Sequence, residues 1–98
     1  MDRDQVLAIL RSHEPELRAA GVEHLRLFGS VARGEHSIDS DIDISVEMDR
    51  SKPWGLFALG GLQSDISEWL KAQVDLSEWQ WLRPSIRERV LREAIDAF

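Results

Sequence analysis

Two rhythms of apolar residues run along the chain, one of helical and one of strand period, and their alternation predicts the elements. Val6, Leu7 and Leu10 form a helical stripe, which predicts a helix over residues 4–12 with Asp4 as its N-cap. Pro15 stops that helix or opens a second short one, with Leu17 facing inward and Gly21 as a terminator. Val22–Phe28 reads as a first strand, with Leu25 and Leu27 toward one face. Asp41–Val46 alternates polar and apolar residues as a half-buried strand does. After a polar loop over Glu47–Lys52, a helix opens at Pro53 or Trp54 and runs to about Lys71, with Leu56, Leu59, Leu62, Ile66, Trp69 and Leu70 on one stripe. The Gly60-Gly61 pair inside it costs about 2 kcal/mol against two alanines. That pair reads as close packing on the sheet, as a bend, or simply as a weak helix. Gln73–Ser77 is a short third strand, and Pro84 starts a last helix with Ile86, Val90, Leu91, Ala94 and Ile95 at helical spacing. The order αα-β-α-β-α-β-α predicts an α/β (α+β) fold: a small mixed three-stranded sheet with helices packed against it.

The chemistry gathers between the first two strands. Gly29 permits a tight turn and a close backbone approach to a ligand. Ser30 to Arg33 can form one helical turn whose free N–H groups face an anion. A polar loop from Gly34 to Ser40 follows, and then Asp41-Ile42-Asp43. Period two puts Asp41 and Asp43 on one face, about 6.5 Å apart along the strand. Two carboxylates beside a phosphate-type turn suit Mg²⁺ and a nucleotide. Asp75, between Val74 and Leu76, joins them if the third strand neighbours the second. Ser30 and nearby N–H groups would hold phosphates. Arg33 either pairs with a phosphate or braces the loop through Asp39 or Glu35.

Composition narrows the function. Ninety-eight residues make one domain, 1–98, with 43% hydrophobic and 31% charged residues. The net charge of −6 argues against nucleic acid as the main partner, since such a binder usually carries a basic face. It does not oppose a magnesium-bound nucleotide, because the metal inverts the local electrostatics. With no cysteine there is no disulfide framework and no thiolate metal site. No apolar run approaches the roughly 20 residues of a membrane span, and the N-terminal run is too short for a signal peptide. A cytoplasmic protein is expected. Asp39, Asp41, Asp43 and Ser45 match alternate positions of a calcium loop, but Ile44 stands where glycine is needed and Arg50 where glutamate is needed, so that reading is rejected. His13, His24 and His36 lack ligand spacing; His36 lies in the loop, where a substrate contact is open to it. The arginines of the last helix read as a solvated face, interrupted by Glu88, Glu93 and Asp96.

Gly29-Ser30, Arg33-Gly34 and Ser40-Asp41-Ile42-Asp43-Ile44 resemble the signature of the DNA polymerase β-like nucleotidyltransferases. Within that superfamily the chain is similar to the minimal nucleotidyltransferases (MNT), antitoxin partners of HEPN toxins, from about Val6 to Ala94. The resemblance implies Asp41 and Asp43 as catalytic metal ligands and Asp75 as the third carboxylate, holding two Mg²⁺ ions, with Mn²⁺ as a substitute. It implies ATP as donor, a tyrosine hydroxyl of a HEPN-type toxin as acceptor of AMP, and a hetero-oligomer with that toxin. Two rivals remain at this point: a non-catalytic antitoxin that blocks its partner by contact, and transfer to a small molecule such as an aminoglycoside. The second lacks a further domain to build its pocket. Trp79 and Trp81, which alternation places on one face, depart from the commoner family wording and suggest that part of this face is an interface.

Overall fold

The computed structural model describes residues 1–35 and 40–98. Its elements are α1 (Arg3–Ser12), α2 (Glu14–Ala19), β1 (Val22–Phe28), α3 (Gly29–Ala32), β2 (Ile42–Met48), α4 (Leu56–Leu70), β3 (Val74–Glu78), α5 (Pro84–Glu93) and β4 (Ile95–Asp96), with a 3-10 turn over Trp79–Trp81 between β3 and α5. The strands form one four-stranded mixed sheet in the order β3-β2-β1-β4. β1 runs antiparallel to β2 and β4, and β2 runs parallel to β3. No helix of the described residues is long and apolar enough to cross a membrane.

Most of the predicted elements form where the pattern places them, and the departures have local causes. The N-cap of α1 is Asp2, not Asp4: its side chain accepts from the Gln5 N–H at 2.9 Å while the Gln5 side chain accepts from the Asp2 N–H, a reciprocal capping box. Asp4 lies in the first turn, where its charge complements the helix dipole. α4 opens at Leu56 rather than at Pro53 or Trp54, and its first turn faces outward, leaving Leu56 76% and Phe57 99% exposed. The sheet has four strands, not three. α5 stops at Glu93, and the chain that was to continue the last helix pairs along the free edge of β1 instead. Arg11 holds it there, donating to the Asp96 and Ala97 carbonyls at 3.0 and 2.9 Å. Ile95 is therefore a strand residue, and Leu91 stays exposed.

The ladder registers divide the sheet into two faces, because residues directly opposite in neighbouring strands point the same way. Leu25 faces Val46, Leu27 faces Ile44, and Ile42 faces Val74. This face is buried under α1, α2 and α4 in one cluster with Val6, Leu10, Leu17, Ile66 and Leu70. The opposite face carries Phe28, Asp43 and Asp75 in one row and Arg26, Ser45 and Ser77 in the next. α5 packs beside α3, and its Val90 is buried outside the main cluster.

Candidate active site

The site is assembled on the polar face from three neighbouring strands. Phe28 pairs with Asp43, and Asp43 with Asp75. The parallel β2–β3 pairing supplies the condition on which Asp75 depended, so both carboxylates lie side by side on adjacent strands. Asp41 sits just before β2 and is exposed, so it approaches from the loop rather than from a strand position.

Gly29 explains how the turn and the carboxylate fit together. It begins α3 with φ +76°, a left-handed conformation that favours glycine. A Cβ at this position would strike the Asp43 carboxyl, with Cγ 3.0 Å away. The missing side chain lets the turn close directly over Asp43. Ser30 follows at the second position of α3 and lines the same open cleft of about 420 Å³, with Arg33, Asp43, Asp75 and Ser77.

Charge in the cleft is unbalanced. Burial pushes the Asp43 carboxyl above its ordinary 3.8; Asp75 and Asp41 push it further, while Arg33 and Arg89 draw it back. Arg33 Nε donates to Glu35 and its Nη1 to Glu93, both at 3.0 Å, and the Glu35 bond is the larger cause of its raised pKa. Of the two roles open to Arg33, this structure shows the bracing one. It runs to Glu35 and to α5; Asp39 and His36 lie outside the described residues.

The contribution of α5 to the cleft wall was not anticipated. Ile86, Arg89 and Glu93 of α5 face it, whereas the helix arginines read from sequence as solvent-facing. The spacing of these three, by steps of three and four, was the available signal. Glu78 was also missed. Only 1% exposed, it accepts from the Met48 N–H at 2.8 Å and caps the 3-10 turn through the Gln80 N–H at 2.6 Å. It is a structural carboxylate at the far end of β3. That turn separates the tryptophans: Trp79 lies half-buried over Arg26, and Trp81 is 55% exposed beside Trp54. His13 stacks on Trp69, centroids 3.7 Å apart, away from the cleft.

Among the described residues, no group of three His, Cys, Asp or Glu side chains encloses a point where a metal ion could sit. The carboxylates form an open row. Their chemistry still suits a divalent cation: the donors are hard oxygens, and Asp43 is destabilised in its charged form by Asp75 and Asp41, a repulsion that a cation would relieve.

Comparison with known proteins identifies the family. The nucleotidyltransferase domain family model matches residues 4–97. Protein adenylyltransferase MntA of Thermococcus cleftensis is 34% identical over 93 residues, covering 94% of this chain and 92% of its own. A solved structure described as a minimal nucleotidyltransferase superposes with a TM-score of 0.83 at 35% identity, covering 97% of this chain and 95% of that one. At 20% identity, with a TM-score of 0.63 over 98% of this chain and 68% of that one, a Shewanella oneidensis complex of a tri-AMPylated HEPN toxin with an MNT antitoxin shares the fold. The chain belongs to the nucleotidyltransferase domain family and, within it, to the minimal nucleotidyltransferases, as an enzyme of that class.

Proposed function

We propose that this nucleotidyltransferase is the antitoxin of a HEPN/MNT pair and transfers AMP from ATP to a tyrosine hydroxyl of its toxin. The observation that carries the reading is the row Phe28–Asp43–Asp75 with the Gly29 turn closed over it, since phosphoryl transfer needs carboxylates and a phosphate-binding turn within one cleft. The name of the Thermococcus relative and the AMPylated toxin in the Shewanella complex support the donor and the acceptor class.

Asp41, Asp43 and Asp75 are the residues that would hold Mg²⁺, two ions with Mn²⁺ as a substitute, and the metal would supply charge neutralisation at the phosphates. The protein residues do the rest. Gly29 and Ser30 seat the phosphates at the start of α3, and Arg33 braces the turn against α5. Asp75, the more exposed member of the row, takes the proton of the attacking hydroxyl. The hydroxyl oxygen then bonds to the α-phosphorus as the bond from that phosphorus to the oxygen bridging to the β-phosphate breaks, and pyrophosphate leaves. Positioning and charge neutralisation supply most of the rate.

The test is Asp43→Asn. It keeps size and shape but removes one charge from the site. Complex formation with the toxin should be retained, while AMP transfer falls by at least about a hundredfold, for several kcal/mol of lost stabilisation. Growth rescue and intact-mass analysis of a HEPN-type toxin read this out. A folded Asp43→Asn protein that rescues growth without adding AMP would instead establish a stoichiometric blocker.

A further inference from the structure

The cleft holds two guanidinium groups in different states. Arg33 is engaged by two carboxylates, Glu35 and Glu93, at 3.0 Å each. The Arg89 side chain has no ion pair and no hydrogen bond among the described residues, yet it lines the same cleft as Asp43 and Asp75. It is also close enough to Asp43 to draw that carboxyl downward. Its place on α5 is not accidental. Ile86, Arg89 and Glu93 share one helical stripe facing the cleft, and the Arg33–Glu93 pair ties that stripe to the turn after β1. The fold thus presents a cation with no carboxylate partner among the described residues, beside Asp43 and Asp75.

An arginine so placed is suited to an anion with several charged oxygens, since its planar fork binds phosphate through paired hydrogen bonds. Arg33 is less available: to bind a phosphate it would leave Glu35 and Glu93 unpaired and release α5. We propose that Arg89 binds the β- and γ-phosphates of the nucleoside triphosphate, and that Arg33 is a positioning residue that holds the helix carrying it. The assignment rests on the nucleotidyltransferase reading and names a residue of that same site.

The experiment is calorimetric titration of wild type, Arg89→Ala, Arg89→Lys and Arg33→Ala with ATP and with AMP in magnesium buffer, alongside melting curves without nucleotide. Arg89→Ala should weaken ATP by about tenfold or more, the loss expected for charge-assisted hydrogen bonds, and leave AMP affinity and melting unchanged. Arg89→Lys, keeping a point charge but not the fork, should fall between. Arg33→Ala should lower the melting temperature and weaken ATP less than Arg89→Ala does. Unchanged ATP affinity in both Arg89 variants, or equal weakening of ATP and AMP, overturns the assignment while leaving the enzymatic reading intact. A wild-type protein that binds no ATP overturns both.

Discussion

The two faces of the sheet are built from the same strands by opposite rules. On one, Leu25, Leu27, Ile42, Ile44 and Val46 are buried under three helices in one apolar cluster. On the other, Asp43 is half-buried among like charges, a glycine turn leans on it, and the cleft stays open. The apolar packing of the first face supplies stability that does not depend on pH. The second holds Asp43, whose charge is unfavourable to the free fold, as in sites that bind a charged ligand. The difference explains how adjacent residues of β2 serve unrelated ends: Ile44 anchors the core and Asp43 faces the cleft, one peptide apart.

This contrast can be broken from either side. The largest effect on stability is expected from Leu27→Ala, which leaves a cavity in the helix-covered face and should cost about 2–5 kcal/mol in chemical denaturation. Gly29→Ala follows. An alanine at φ +76° carries about 1–2 kcal/mol of backbone strain, and its Cβ must displace the Asp43 carboxyl, so the melting temperature should fall and AMP transfer with it. If Gly29→Ala is both stable and active, the turn does not press on the carboxylate as described.

The smallest effect runs in the opposite direction. Because the folded Asp43 carboxyl has its pKa raised above the ordinary 3.8, its contribution to stability is fully present below that value and is lost as pH rises through the folded pKa. Asp43→Asn should therefore melt slightly higher than wild type at neutral pH without divalent metal. The gap should close as the pH is lowered toward about 4, the unfolded carboxylate range. A wild type more stable than Asp43→Asn under those conditions would show that the carboxylate is favourable to the free fold and that the two faces do not differ in this way.

How much was legible in the sequence differs between the same regions. Val22–Phe28 and the helical turn after it could be read directly, because alternation and a glycine are local signals. Asp41, Asp43, Gly29 and Ser30 were candidates for the same reason. The fourth strand was not, since Ile95 fits a helical stripe as well as it fits a strand, and only pairing with β1 decides between them. Leu56 also fitted a stripe, but the turn that holds it projects beyond the core. Arg89 and Glu93 were read as surface because a single sequence cannot say which side of a helix meets a cleft formed by other strands of the chain.

By itself, the amino-acid order determined which residues could do the chemistry. Side-chain period, the glycine before Ser30 and the spacing of Asp41 and Asp43 are properties of neighbouring residues, and local sterics enforce them. Only the tertiary structure decided that Asp75 stands beside Asp43, that Asp41 approaches from the loop, that Arg33 is paired with Glu35 and Glu93 and that Arg89 lines the cleft. The reason is physical: strand order, register and helix docking follow from burying the whole apolar surface at once, and no short stretch of chain carries that sum.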